Sequence, residues 1–215
     1  MSSQIIAIMQ YLLMTAIPII YAITIHEAAH GYAAKHFGDM TAHQLGRISL
    51  NPIRHIDLFG TIILPAMTMI LGGVFFGWAK PVPVNYLNFK RPKQDMLWVA
   101  AAGPLSNLAQ AIIWGMVYGY ATYAENYFSI YLFEMSKIGI SINVVLMVLN
   151  LFPIPPLDGG RIAVSLLPTS LAMKFAQIEK YGFFILIILL FSGVLSGVLT
   201  PIVNFVKLTI KSVFV

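Results

Sequence analysis

The sequence predicts an all-α polytopic membrane protein, and its composition is the first reason. Of the 215 residues, 59 % are hydrophobic and 10 % are charged, and the mean hydropathy is +0.82. A typical soluble domain is about 45–50 % apolar and about 25 % charged, and a domain of this size cannot bury so large an apolar surplus. These values exclude a soluble globular domain, a disordered chain and a nucleic-acid-binding module. The net charge of +5 is typical of basic loops that orient a chain in a membrane.

The second reason is a series of apolar stretches separated by charged connectors. A membrane-spanning helix needs about 20 predominantly apolar residues. The stretches that approach or exceed this length lie at about 5–34, 58–76, 96–124, 131–152 and 181–206. Basic loops stay in the cytoplasm. We therefore expect the N-terminus and 125–134 outside, and 35–57 and 158–180 inside.

The stretch at 58–76 is an exception to this scheme. Basic residues flank it on both sides, with Arg47 and Arg54 before it and Lys80 and Lys90 after it. A full crossing would place one of these sets outside. We therefore expect a re-entrant segment that bends back without crossing, which is acceptable where protein or water covers the irregular backbone. An ordinary span is the alternative.

Shorter features complete the predicted fold. Residues 46–51 alternate like a short β-strand, and the Pro-rich run 81–85 is typical of an extended edge strand or hairpin element. A C-terminal helix is predicted at about 181–206. Two pairs of glycines four residues apart predict close helix packing; they are Gly115/Gly119 and Gly193/Gly197.

The strongest chemical signal is the run His26-Glu27-Ala28-Ala29-His30. On a helix, positions i and i+4 share a face, so both imidazoles can reach one metal ion. The glutamate can accept a proton from a water that the metal activates. Three ionisable residues at the end of an apolar helix are costly and usually mark a functional site. The alternative is a helix end whose His and Glu side chains face the interface.

A catalytic zinc site has three protein ligands and one open position, so this run lacks one ligand. The sequence contains no cysteine, which leaves His, Asp and Glu as ligands. Asp158 follows three prolines and precedes two glycines, a pattern that can hold a carboxylate rigidly at the mouth of a membrane helix. On spacing alone, a turn or capping role for Asp158 is equally consistent. Asp39 and Asp57 are other acids on this side, in a connector where capping is the ordinary role.

The two motifs together resemble the site-2 protease family of intramembrane zinc metalloproteases. The resemblance rests on His26-Glu27-Ala28-Ala29-His30, on Asn150-x-x-Pro153-x-Pro155-x-Leu157-Asp158-Gly159, and on Gly103-Pro104-Leu105-Ser106-Asn107, which is similar to the GPxxN element of that family's core helix. The stretches 46–52 and 77–85 are similar to the small bacterial branch that lacks PDZ domains. The match runs from about Ile5 to Leu166.

This resemblance implies a single membrane-embedded metalloprotease domain over residues 1–215. Its catalytic core would consist of three helices, at about 5–34, 96–124 and 131–152. One Zn²⁺ per chain would be held by a set of three ligands, namely His26, His30 and Asp158. Glu27 would be the general base.

Three asparagines are further candidates for the site. Asn150 would contact the scissile carbonyl or the developing oxyanion, and Asn107 is a second candidate for that role. The alternative is that either amide hydrogen-bonds the backbone of a neighbouring helix. Asn143 shares a helix face with Asn150, and we expect it to line a path for water.

The predicted function is hydrolysis of peptide bonds in or near transmembrane segments of other membrane proteins, as in regulated intramembrane proteolysis. Single-span membrane proteins would be the substrates, the lipid bilayer the surroundings, and nucleic acid no partner. We expect a multi-pass protein of the cell's inner or plasma membrane, with the active site near the cytoplasmic side. The alternative is a membrane metal or proton transporter that uses the same His/Asp cluster, although a transporter has no need of Glu27 beside its ligands.

Overall fold

The computed structural model describes residues 3–63, 67 and 79–215, and this part of the chain is mostly helical, without a β-strand. The predicted all-α class is confirmed. The α-helices in it are α1 (Ser3–His36), α2 (Thr41–Gln44), α3 (Pro92–Tyr123), α4 (Tyr127–Asn150), α5 (Asp158–Leu166), α6 (Thr169–Ala176), α7 (Glu179–Phe191) and α8 (Val194–Phe214). Short 3-10 turns lie at Pro52–His55 and Tyr86–Asn88, and a π-helical turn at Leu58–Ile63.

Four of these helices are long and apolar enough to cross a membrane: α1 from Gln4 onward, α3, α4 and α8. The outer surface of α1 carries large apolar side chains, such as Leu12 and Leu13, that are mostly exposed, as expected where lipid replaces water around a helix. Helix α7, with 13 residues, is shorter than the about 20 residues that a span needs. The four helices that are long enough to span confirm the predicted polytopic class.

Helix α3 lies at the centre of the molecule and packs against α1, α4, α5 and α8. An apolar core between α3, α4 and α8 includes Ala111, Ile140 and Val144, which are completely buried, together with Val203 and Ile210. Interiors of this kind are close-packed and deform little. The core therefore sets the spacing between α3 and α4, whose other faces build the site described below.

Of the two predicted glycine contacts, the one at Gly115 and Gly119 is confirmed. A Cβ atom on Gly115 would lie 2.7 Å from Cγ2 of Ile210, and one on Gly119 would overlap the carbonyl oxygen of Phe214. Both glycines thus let α8 approach α3 more closely than any larger residue would allow.

The prediction for Gly193 and Gly197 is wrong. Among the described residues, nothing lies within 4 Å of a Cβ atom built on either glycine. Gly193 instead adopts the left-handed conformation, with a φ of 76°, in which glycine is the favoured residue. It separates α7 from α8, so the single helix predicted at about 181–206 is two helices.

The prediction of short β-strands or a hairpin at 46–51 and 81–85 is also wrong. Neither run is a strand in the structure. The two prolines within 81–85 have no N–H to donate to a ladder, and the N–H of Val82 donates to Oε2 of Glu27 at 2.8 Å. A backbone donor that a sheet would need is satisfied by a carboxylate instead.

Most of the predicted re-entrant segment at 58–76 lies outside the described residues. Its first turn, Leu58–Ile63, is π-helical. Asp57 precedes this turn, and its Oδ1 accepts a hydrogen bond from the N–H of Gly60 at 2.7 Å, which is the capping role expected of a connector aspartate. That 58–76 does not cross the membrane stays a prediction.

Candidate active site and metal centre

Three buried side chains meet where the end of α1 faces the start of α5. The Nε2 atoms of His26 and His30 are 3.1 Å apart, and each is 3.3 Å from Oδ2 of Asp158. Within the described residues this is the one group of His, Cys, Asp and Glu side chains arranged to hold a metal ion. The i, i+4 spacing on α1 brings the two imidazoles to one face, as the sequence predicts.

The spacing of the three atoms fits zinc. Ligand atoms about 2.0–2.1 Å from a tetrahedral ion lie about 3.3–3.4 Å from one another. The three edges measured here are 3.1, 3.3 and 3.3 Å. Oδ2 of Asp158 is buried and accepts no hydrogen bond from the described residues, which is costly for a carboxylate oxygen unless a cation lies beside it.

The other ring nitrogen of each histidine is bonded to an oxygen acceptor. Nδ1 of His30 donates to the carbonyl oxygen of Val99 at 2.7 Å, and Nδ1 of His26 donates to Oδ1 of Asn107 at 2.5 Å. Since an oxygen acceptor needs a proton on Nδ1, each Nε2 keeps its lone pair. Three lone pairs then converge on one point, as in a metal-ligating set whose outer hydrogen bonds fix the tautomers.

Asp158 is the first residue of α5, where the positive end of the helix dipole favours a carboxylate. The preceding loop folds back tightly over this helix start. A Cβ atom on Gly159 would overlap the carbonyl oxygen of Leu151, and one on Gly160 would overlap the backbone of Pro155. The two glycines therefore permit the close approach that the sequence predicts for this loop.

Gly103 on α3 lies directly against both histidines. A Cβ atom there would lie 2.6 Å from Cε1 and Nε2 of His26 and still closer to Nε2 of His30. Sequence reasoning noted this glycine only within a resemblance, and did not place it in the metal centre. A glycine in an apolar helix beside a polar motif is the signal that could have indicated it.

Glu27 is held by residues 79–85, which we call the cover segment. Its carboxylate accepts the Val82 N–H, and the Val82 side chain is buried against Gly31, one turn further along α1. Arg47 donates to the carbonyl oxygen of Lys80 at 2.8 Å. Because several of its backbone groups are already bonded, the cover segment is suited to shielding the site.

Asp39 anchors the far end of the cover segment. It is fully buried, and it accepts hydrogen bonds from the backbone of Asn85 at 2.7 Å, from the Asn88 amide at 2.8 Å and from Thr41. Burial opposes its ionisation, but the hydrogen bonds from Thr41, Asn85 and Asn88 outweigh burial and hold the pKa of the carboxyl below its usual value. Asp39 is thus a structural anchor and not a metal ligand.

The three asparagines divide into two groups. Asn150 is partly buried and donates one N–H to the carbonyl oxygen of Leu146 on its own helix at 3.0 Å, so its second N–H can still serve the predicted oxyanion contact. Asn107 is fully buried. It donates to the carbonyl oxygen of Ala22 at 3.1 Å and to Oδ1 of Asn143 at 2.9 Å. Both N–H groups of Asn107 are therefore used, and none remains for an oxyanion. Asn107 instead hydrogen-bonds neighbouring helices, which is the alternative that the sequence left open.

Asn143 does not line a path for water. It is fully buried, with Nδ2 donating to the carbonyl oxygen of Gly139 at 2.9 Å and Oδ1 accepting from Asn107. Asn143 and Asn150 do lie on the same face of α4, but at Asn143 this face packs against α3.

Comparison with known proteins agrees with this geometry. The profile of Peptidase family M50 matches residues 116–193, which include Asp158 and its loop. The chain is 41 % identical over 203 residues to the "Putative zinc metalloprotease YwhC" of Bacillus subtilis (strain 168), covering 93 % of this chain and 88 % of that protein. It is 28 % identical over 178 residues to the "Putative zinc metalloprotease Rip2" of Mycolicibacterium smegmatis, covering 81 % of this chain and 65 % of that protein. The chain belongs to peptidase family M50, the site-2 proteases. No solved structure matches it at a comparable level of significance.

Family membership decides between the two functions that the sequence left open. An M50 member is a zinc metalloprotease, so the chain is an enzyme and not a transporter. The donor set described above, two imidazoles and one carboxylate, is of the type that catalytic zinc uses.

Proposed function

We propose that this M50 protease cleaves peptide bonds in or near transmembrane segments of single-span membrane proteins, in regulated intramembrane proteolysis. The depth of the His/Asp cluster supports this. His26 lies within the apolar helix Gln4–His36, about 15 Å of helix before its end. Its surroundings, α3 and α4, are themselves long and apolar enough to cross a membrane. A water-soluble substrate would not reach such a position, whereas a membrane segment would.

In this proposal, His26, His30 and Asp158 hold the zinc ion and Glu27 is the general base. When bound, zinc supplies a Lewis acid that activates water and polarises the scissile carbonyl. Glu27 accepts the proton of the attacking water and then donates a proton to the leaving amine. The Val82 N–H holds Oε2 of Glu27, which leaves Oε1 for proton transfer.

The substrate must present an extended backbone to this site. A helix hides its carbonyl oxygens in internal hydrogen bonds, so a transmembrane substrate has to unwind locally before its scissile bond can be attacked. The second N–H of Asn150 would then contact the developing oxyanion.

The proposed location is the cell membrane, with the whole described chain forming one membrane-embedded domain and the active site near the cytoplasmic side. Single cysteines can test the orientation because the sequence has none of its own. Leu87, which is 91 % exposed, and Ser49 should be labelled by an impermeant reagent from the cytoplasmic side only. Asn126, between α3 and α4, should be labelled from the outside only. Labelling of Leu87→Cys from the outside would contradict both the topology and the re-entrant prediction for 58–76.

The deciding experiment compares Glu27→Gln with wild type on a single-span membrane protein substrate. Gln keeps an oxygen that can accept from the Val82 N–H but cannot serve as the base. We expect cleavage to fall by about 10²–10⁴-fold or more while zinc content stays near that of the wild type.

Glu134→Gln is the matched control. Glu134 is at the opposite end of the molecule, paired with Lys137 at 2.8 Å, and its loss should leave cleavage unchanged. Undiminished proteolysis by Glu27→Gln in a preparation free of other proteases would contradict the proposed mechanism. Cleavage of soluble unfolded proteins with no cleavage of membrane segments would contradict the proposed substrate class.

A further inference from the structure

Asn143 is a fully buried polar residue in the middle of a candidate membrane-spanning helix. Such a residue is costly in an apolar surrounding unless all its polar atoms are bonded. Asn143 makes two side-chain hydrogen bonds. One goes back to its own helix at Gly139, and the other goes across to Asn107 on α3.

These bonds form a chain in which each acceptor fixes the orientation of the next amide. The carbonyl oxygen of Gly139 can only accept, so the amide of Asn143 turns its Nδ2 toward it and its Oδ1 toward α3. That Oδ1, together with the carbonyl oxygen of Ala22, takes both N–H donors of Asn107. The Oδ1 of Asn107 is thereby left facing His26.

The orientation of Asn107 decides the tautomer of His26. With Oδ1 toward the ring, as here at 2.5 Å, Nδ1 must carry the proton and Nε2 keeps its lone pair. If the Asn107 amide flipped, its N–H group would face Nδ1, and the proton would move to Nε2, the atom that faces Asp158. His30 has no such dependence, because its Nδ1 is bonded to the backbone carbonyl of Val99, which cannot flip.

We propose that Asn143 is a positioning residue of the metal centre, which acts through Asn107 to hold His26 in the tautomer that presents the Nε2 lone pair to the metal. This rests on the proposed role of His26 as a zinc ligand. A group bonded directly to a metal-ligating histidine, as Asn107 is here, typically changes metal affinity by about 10–100-fold when it is lost, which sets the upper limit for Asn143. Neither the i, i+4 motif nor the family resemblance assigns any role to Asn143.

The test measures zinc affinity by competition with a chelator in the full-length protein in detergent. Leucine has a volume similar to that of asparagine and no hydrogen-bond acceptor. Because the carbonyl oxygen of Ala22 still holds one N–H of Asn107, Asn143→Leu should weaken zinc binding by up to about 10-fold, the lower end of the range for a direct partner. Ser136→Ala is the matched control, since Ser136 is equally buried on the same helix, and its hydroxyl donates to its own helix at Phe133 at 2.8 Å. Its affinity should not change.

Asn143→Thr serves as a milder second variant. Its hydroxyl can still donate to the carbonyl oxygen four residues earlier, but it is too short to reach Asn107. We expect the same loss of affinity with better retention of the fold. The double variant Asn107→Ala/Asn143→Leu should be no weaker than Asn107→Ala alone, because the two residues act in series.

A second readout separates positioning from simple packing. In zinc-free protein with ¹⁵N-labelled histidine, solid-state NMR should show His26 protonated at Nδ1 in wild type and in Ser136→Ala, and a mixture of tautomers in Asn143→Leu. If both Asn143 variants kept the zinc affinity and the His26 tautomer of the wild type, the positioning role of Asn143 would be overturned, while His26 would remain a ligand. A wild-type protein that binds no zinc would overturn the ligand assignment of His26, and this proposal with it.

Discussion

Replacing Gly103 with alanine should empty the metal centre without unfolding the protein. The added Cβ would lie 2.6 Å from Nε2 of His26. Ordinary contacts begin at 3.4 Å, so the imidazole would have to retreat by about 0.8 Å in a close-packed interior. The distances between a metal ion and its ligand atoms stay within about 0.2 Å of their standard values. We therefore expect the zinc affinity of Gly103→Ala to fall by at least the about 10–100-fold that accompanies loss of an outer partner.

The assay is zinc content after purification, together with chelator competition and a thermal unfolding curve. Overpacking a core residue typically costs about 1–3 kcal/mol of stability, which a domain of ordinary stability survives. Gly115→Ala is the matched control. It overpacks the same helix against Ile210 and Phe214 of α8, and it should lower stability by a similar amount while keeping zinc. Wild-type zinc affinity in Gly103→Ala would refute the placement of α3 against the ligands.

Three further outcomes follow from the geometry. Asp158→Ala should lose both zinc and activity, whereas Asp57→Ala should keep zinc; retention of zinc by Asp158→Ala would require another third ligand. Val82→Pro, which removes the N–H that holds Glu27, should lower cleavage by about 10–100-fold, the equivalent of a hydrogen bond to a charged group worth about 1.5–3 kcal/mol, with zinc unchanged. Val82→Ala keeps the N–H and serves as its control, so equal activity of the two variants would contradict the contact. Because the folded-state pKa of Asp39 is depressed, its ionised form stabilises the fold above the unfolded pKa of about 3.9, and this stability is lost as the pH falls through the folded-state value. Thermal unfolding should therefore show Asp39→Asn well below wild type near pH 7, with the difference narrowing as the pH falls below about 4; a difference that stays constant down to the lowest pH at which the protein is folded would contradict the assignment.

The sequence alone could predict the chemical parts of the site. The spacing of His26 and His30 depends only on helix geometry, and the prolines and glycines around Asp158 restrict the backbone locally. Gly103 and Asn143 are different, because what they do depends on which helix packs opposite them. A glycine beside polar residues in an apolar helix can indicate a close approach at Gly103, but no pattern within α3 or α4 shows which helix packs there.

The errors of sequence reasoning have equally physical causes. The prolines in the run 81–85 favour an extended backbone like that of a strand, but whether an N–H pairs with another strand or with Glu27 is decided by tertiary structure. A glycine in the C-terminal apolar run is consistent both with helix packing and with a left-handed helix end, so the sequence does not show which of the two applies to Gly193. Helix-packing motifs are equally ambiguous, since Gly115 and Gly197 look alike in sequence, and only Gly115 has a close neighbour in the part of the chain that the structure describes.

The wide separation of the metal-binding residues along the chain bears on how the molecule is made. His26 and His30 enter the membrane with the first helix, while Asp158 is synthesised only after α3 and α4. Until α5 is in place, the chain holds two imidazoles and lacks the carboxylate, so a half-made molecule has no complete binding site. With the proposed ligand set, proteolytic activity can therefore begin only after most of the polypeptide has been inserted.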